Sequence, residues 1–438
     1  MPRFFEKMLL ILVMSFSLFA VGCETTDYQP LIMKGKLAEL EKEIEMLKAE
    51  IAVLKGEDPN AAEASEDEAG EGEDGEMSEG EDGETSEGED GASNSANTAD
   101  SIVALDTDPA PAIVEFPNQK KIVVDGTKAT SATFEALGRV SALEHLEIAG
   151  CNPSPSDLAQ LKQLKGLKFL QLSKATLSEE AMKELSEFQA LEQIRCGHTG
   201  VGDAELRPLE NLKTLKAVDL SGCEGVTIDG LESLTKCSKL AFLRLSGPSI
   251  DNDCMTQVAK MKSLRVLGIS DTEVDDDGIA KLANLNLSEV QMTQAKLSDV
   301  GVGYLTGLEN LEKLDLSECS GVTNACASEI AKMKNLSSLN LLRTGITDQG
   351  VKQLTGMKNL TRLNLDDTRI TDDSVAALKE LPQLTWLHLG KTAITDREKE
   401  VLMGLRKLRY LNISNTEISR DACSEISNRL GSCEIVRP

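Results

Sequence analysis

A 24-residue period runs through most of this 438-residue chain and decides what it can fold into. Copies begin at Leu143, Leu167, Leu191, Leu215, Leu240, Leu264, Leu287, Leu311, Leu336, Leu360, Leu384 and Leu408. The copy at 360–383, LTRLNLDDTRITDDSVAALKELPQ, shows the unit clearly. Positions 4 and 6, here Leu363 and Leu365, share one face of a short strand because strand side chains alternate. Position 11 is apolar in most copies, as at Ile346, Ile370, Ile394 and Ile418. A Thr, Ser or Asp follows it (Thr347, Thr371, Thr395, Ser298), the residue types that cap helix N-termini. Val351, Leu354 and Met357 then recur at helical spacing. Each unit therefore predicts a strand, a turn and a short helix. None can bury its apolar face alone, so neighbours stack into one continuous solenoid. Residues 119–142 fit a degraded first copy, with Ile122 and Val124 at the strand positions.

The pattern L-x-x-L-x-L-x-x-T-x-I-T-D resembles the leucine-rich repeat family over about three quarters of the chain. The resemblance implies an α/β solenoid: a curved horseshoe with parallel strands on its concave face and short helices on its convex face. Position 9 holds Thr199, Thr272, Thr344, Thr368, Thr392 and Thr416, and Cys151, Cys223 and Cys319 in other copies. The family often places Asn or Cys there to bond backbone at the turn out of the strand. The 25-residue copies insert one residue beside Cys223 and Cys319, similar to the cysteine-containing and ribonuclease-inhibitor-like subclasses. In this family the variable strand positions face the concave surface, and it commonly binds a protein there.

Those variable positions are 3 and 5. Same-position residues of adjacent strands lie about 4.8 Å apart, so they form rows. The C-terminal rows bring together Arg362, Trp386 and Tyr410, with Asn364, His388 and Asn412 beside them. Trp386 is the sole Trp of the chain. Trp, Tyr and Arg are the usual anchors of interface hot spots, so these six residues are the candidate partner-binding set. The competing reading is that Trp386 and Tyr410 only cover the end of the stack. Phe242 with Arg195 and Arg244 forms a second, weaker patch. Cell-envelope glycan is the alternative ligand, and a purely structural spacer the third reading.

The segment before the repeats reads as an address and a stalk. Arg3 and Lys7 precede an apolar run, Met8 to Ala20, too short for a comfortable membrane span. Phe19-Ala20-Val21-Gly22-Cys23 resembles the lipobox of bacterial lipoproteins, with Ala20 where the family usually has Leu. The resemblance implies a signal peptide at 1–22, lipid on Cys23, a short mature segment 23–32, and a place in the cell envelope facing the periplasm or the surface. An ordinary cleaved signal is the alternative. Met33, Leu37, Leu40, Ile44, Leu47, Ile51 and Leu54 follow a heptad seam, so 33–55 predicts a coiled-coil helix and a homodimer, or else a lone amphipathic helix. Residues 56–112 carry 20 acidic and no basic side chains in near-octad repeats, which predicts a disordered acidic linker. A cap repeat at 113–142 and the repeat domain at 143–438 complete the chain.

Function classes follow from what is scarce. The formal charge is −27, but the linker holds −20 of it. That balance argues against a nucleic-acid partner, whose phosphates need basic counter-surfaces. His145, His198 and His388 are the only histidines and stand in separate repeats. Nucleophile-elbow, phosphate-loop, EF-hand and C-x-x-C motifs are missing, so neither enzyme activity, cofactor nor metal is expected. The catalytic alternative is a carboxylate-pair hydrolase using pairs such as Asp275-Asp276 and Asp372-Asp373, for which helix-dipole and capping roles are the plainer account. Of ten cysteines, Cys23 goes to lipid, and Cys423 with Cys433 could bridge in the last repeat.

Overall fold

The computed structural model describes residues 109–115 and 117–437. Cys23, the heptad segment 33–55 and nearly all of the acidic segment 56–112 lie outside the described residues.

Among the described residues, fourteen parallel strands form one sheet in strict chain order, from Lys121–Asp125 to Glu434–Val436. The register advances by one repeat per strand, so Leu339, Leu363, Leu387 and Leu411 stand side by side. Short α- or 3-10 helices return the chain to the start of each next strand. Parallel neighbours need such crossovers, and 24 residues supply one strand, one helix and two turns.

The core is the repeat pattern made solid. In one unit Leu360, Leu363, Leu365, Ile370, Val375 and Leu378 are all fully buried. Their equivalents join them into a single apolar cluster running from Ile113 to Cys433. Each buried Leu or Ile contributes about 1.5–3 kcal/mol of transfer free energy. The position-9 threonines donate to the carbonyl three residues back, as Thr344 to Leu341 at 2.7 Å and Thr416 to Ile413 at 2.8 Å. Cys223 and Cys319 donate instead across to the previous repeat, to the Cys196 and Met292 carbonyls at 3.0 and 2.9 Å.

Position 8 is a feature the sequence pattern leaves open. It adopts left-handed backbone in every repeat, at Lys174, His198, Asp271, Gln294, Glu318, Arg343, Asp367, Lys391 and Asn415, and at Gly150, Gly222 and Gly247. A sharp corner out of each strand requires this conformation. Every non-glycine there carries a cost of about 1 kcal/mol that the stack over-determines.

The cap residues also hold more than their own helices. Thr227 accepts from the Asp229 amide, as a helix N-cap should. Its own amide and hydroxyl donate to the two carboxylate oxygens of Asp203, one repeat earlier, at 2.8 and 2.6 Å. The same clasp joins Thr323 to Asp299, Thr371 to Asp348 and Thr395 to Asp372. Asn replaces Asp at Asn324, where it accepts from the Thr347 amide and donates to its hydroxyl. A line of single bridges, such as Thr371 to Ala393, runs beside these clasps. The stack is therefore stapled along a second seam besides the sheet.

The two ends of the stack add detail to the sequence reading. A helix at Ala110–Glu115 begins inside the segment assigned to the linker, and Ile113 is buried in the core. Folded chain thus starts before residue 113, because Ile113 supplies apolar cover for the first repeat. After the twelfth repeat the chain adds the strand Glu434–Val436, which pairs with Tyr410–Asn412. Cys423 and Cys433 are both buried and free, so the bridge between them is not formed. Each thiol is already accommodated as a small apolar core group.

Candidate functional site

The sheet places the predicted rows as the repeat spacing requires. Arg362 pairs with Trp386 and Trp386 with Tyr410, while Asn364, His388 and Asn412 follow in the neighbouring row. The aromatic rings stack on one another. Trp386 and His388 lie 3.7 Å apart between centroids, Trp386 and Tyr410 5.7 Å, and His388 and Tyr410 5.2 Å, with interplanar angles of 16–27°. The Arg362 guanidinium covers Trp386 from the strand before, 4.4 Å from the ring centroid. Arg362, His388 and Tyr410 thus all pack on the indole of Trp386.

Arg362 is the half-buried charged member of the cluster. Burial against the rings pulls its pKa below the ordinary value. Among the described residues its guanidinium makes no ion pair or hydrogen bond, and packs only on the Trp386 ring. A half-buried guanidinium of this kind presents its fork of donors to whatever approaches the strand face.

Asp366 organises the other half of the cluster. One carboxylate oxygen accepts from His388 Nδ1 at 2.8 Å and from Asn412 Nδ2 at 3.0 Å, and the other from the Gly390 amide at 2.5 Å. A carboxylate only accepts, so His388 carries its proton on Nδ1. His388 Nε2 is buried and has no partner among the described residues. The two asparagines are less available. Asn364 is buried, and its side-chain oxygen accepts from the Asp366 amide at 2.9 Å. The Asn412 oxygen accepts from the Ser414 amide and hydroxyl at 3.0 and 2.8 Å. Both are turn-forming groups first.

The family model for the leucine-rich repeat region matches residues 199–421, just over half of the chain. The chain belongs to the leucine-rich repeat family. Its repeats are 28% identical over 203 residues to a Trypanosoma equiperdum protein named as an adenylate cyclase regulatory protein, covering 45% of this chain and 30% of that one. The chain thus spans about a third of that relative's length. Among solved structures, a Listeria monocytogenes internalin matches with TM-score 0.53 and 19% identity, covering 74% of this chain and 88% of its own. A Leptospira interrogans leucine-rich repeat protein matches with TM-score 0.41 and 17% identity, over 76% of this chain and all of its own. The internalin likeness is one of fold.

A second cluster stands on the strand face of the leucine-rich repeats near their N-terminal end, and it is larger than the sequence suggested. His145 and Phe169 stack at 3.8 Å and 2°, and Arg195 lies 4.8 Å over the same Phe ring. Burial lowers the Arg195 pKa to about 10. His145 Nε2 meets Glu147 at 2.6 Å, and Lys121 reaches the same carboxylate at 3.0 Å. Arg244, 5.3 Å from Phe242, also reaches Gln291 at 3.1 Å, two strands on. Gly268 makes that path possible, since a Cβ there would press on Arg244 at 3.1 Å. His145 and Phe169 both stand at position 3 of their repeats, but position alone does not reveal their stacking.

Carboxylate pairs at the helix starts are engaged rather than free. Asp275 accepts from the Asp277 amide and from Asn252 Nδ2, and Asp276 accepts from the Ser298 amide and hydroxyl. Among the described residues, no group of three His, Cys, Asp or Glu side chains is placed to hold a metal ion.

Proposed function

We infer that this leucine-rich repeat domain is a non-catalytic scaffold that grips a protein partner on its strand face. The contact centres on Arg362, Trp386, His388 and Tyr410. The carrying observation is Arg362: a guanidinium stacked on Trp386, drawn out of water, with no acceptor of its own among the described residues. A partner carboxylate or backbone carbonyl supplies that acceptor, while the ring edges contribute apolar contact. Asp366 fixes the His388 ring and so preorganises the patch. The lipobox-like run ending at Cys23 and the heptads of 33–55 support a lipid-anchored, self-associating placement in the cell envelope.

The test immobilises the full chain and captures proteins from an envelope extract of the source organism. Wild type, Arg362→Ala and the double variant Trp386→Ala/Tyr410→Ala are compared by quantitative mass spectrometry. Proteins retained by wild type and lost from both variants, with unchanged circular dichroism, are the expected result. An identical set on all three, or specific retention of envelope glycan in place of protein, overturns the reading.

A further inference from the structure

A basic patch lies on the lateral edge of the stack, where helices end and strands begin. Three consecutive loops there carry Lys213, Lys236, Lys239, Lys260, Lys262 and Arg265. All six are exposed. The same edge also carries paired lysines, Lys168 with Glu144, Lys162 with Glu184 and, within the first of these loops, Lys216 with Glu192, and in the last repeat it carries Arg406, Lys407 and Arg409, exposed and in no ion pair among the described residues. Among the described residues the six cations named first make no ion pair. They bond only neutral groups, such as the Glu210 carbonyl for Lys213 and the Gln257 side chain for Lys260. The three loops, 212–216, 235–241 and 259–265, hold no acidic residue, and Glu210 and Glu232 stand in the helices just before the first two.

Helix C-termini favour cations, and that accounts for some lysine on this edge. It does not account for six exposed cations without ion pairs on three consecutive loops. Adjacent strands are about 4.8 Å apart, so the three loops bring six cations together within roughly 10–15 Å along the stack.

We propose that this edge rests on an anionic bilayer surface. The chemistry points away from a defined anion or a structured protein. Five of the six are lysine, a hydrated point charge on a flexible stem, where bidentate recognition would call for arginine. No aromatic side chain stands in the three loops, so bases of single-stranded nucleic acid find no stacking platform. The cations stand on parallel loops at one edge, which suits a flat, diffuse charge array. Lying on a lateral edge, the patch leaves the strand-face rings and Arg362 uncovered. The inference needs neither the strand-face partner nor the lipid anchor.

The test uses the full chain and two kinds of vesicle, pure phosphatidylcholine and the same lipid with about 30% phosphatidylglycerol. Partition is measured for wild type, Lys236→Glu/Lys239→Glu/Lys262→Glu and the milder Lys→Gln triple. The neutral vesicles read any contribution of the N-terminal apolar segment, which all variants share. The anionic increment over neutral vesicles reads the patch. Each cation near such a surface changes partition several-fold, so charge reversal is expected to cut the increment at least tenfold, and the Gln triple by less. The wild-type increment is expected to vanish at about 0.5 M salt. Absence of neutral-vesicle partition with the increment intact removes the anchor and keeps the patch. Equal increments for wild type and the reversed variant overturn the proposal. So does patch-dependent binding to poly-L-glutamate or DNA with no patch-dependent vesicle binding.

Discussion

The clasp between successive repeats makes a measurable claim about where the stack can be broken. Asp299 accepts from the Thr323 amide at 2.7 Å, the Thr323 hydroxyl at 2.6 Å and the Cys326 amide at 3.3 Å. Asp299→Ala leaves three donors without their acceptor. Hydrogen bonds to a charged group contribute about 1.5–3 kcal/mol each when sheltered. Asp299 is half-buried and water can replace part of the loss, so about 2–3 kcal/mol in all is expected. Asp299→Asn should cost about 1 kcal/mol, because Asn324 already shows how an amide serves this position, accepting from the Thr347 amide and donating to its hydroxyl.

Urea unfolding provides the assay. A urea slope of about 3 kcal/mol/M would turn the Ala loss into a midpoint shift of up to about 1 M. Trp386, the chain's only Trp, reports on repeats beyond the broken clasp, whereas circular dichroism reports on all of them. Stability in a stack is a sum of nearest-neighbour terms, so the two midpoints should separate in the Ala variant and coincide in wild type. The hydrogen bonds hold the Asp299 pKa below its ordinary value of 3.8, despite burial acting the other way. Folding stability from this group is therefore present above the ordinary aspartate range and is lost as pH falls below it. Asp299→Asn should flatten that acid limb. Equal stability of the Ala and Asn variants, or an unchanged acid limb, would refute the clasp as a stabilising bond.

Two glycines of one helix should answer oppositely: Gly301→Ala drives a methyl into Asp276 and Leu297 and should cost about 1–3 kcal/mol, while Gly303→Ala meets nothing within 4 Å and should gain up to about 1 kcal/mol by thermal melting. At the left-handed corner, Lys174→Gly should be neutral or slightly stabilising and Lys174→Val destabilising by about 1–2 kcal/mol, and equal melting temperatures for the two would remove the strain argument. Burial pushes the thiols of Cys151, Cys237, Cys254, Cys319 and Cys433 up to about 11. The nine cysteines after Cys23 should therefore resist a thiol reagent at pH 8 until the chain unfolds, and a thiol that reacts at once in native protein, or a Cys423–Cys433 bridge in its peptide map, would contradict the structure.

Residue type was legible in the sequence; backbone conformation and partners one repeat away were not. The leucine columns announce their burial because an apolar side chain has one place to go. Position 8 hides its left-handed backbone behind Lys, His, Asp, Gln, Glu, Arg and Asn, and only Gly150, Gly222 and Gly247 hint at it. Asp203, Asp299 and Asp348 look locally like helix-dipole residues, and that account is complete enough to conceal their bonds to the next repeat. Asp366 left one trace: it is the only charged residue at position 7 in twelve copies, and it proves to be the acceptor that orients His388.

The same division narrows the binding face. Positions 1, 4, 6, 9 and 11–13 are taken by the stack. Position 5 is taken too wherever it is Asp or Asn, since Asp219, Asp315, Asn340, Asn364 and Asn412 all accept from the amide two residues on. From Asp315 to Asn412, His388 is the one position-5 side chain that does not close its own turn. It stands between Trp386 and Tyr410, beside the one arginine that stacks without an acceptor. Four residues that the architecture does not require thus converge on three adjacent strands. A cap whose role is only to exclude water would be satisfied by Leu or Ile there and has no use for a desolvated guanidinium, which is the physical reason for reading this cluster as a grip.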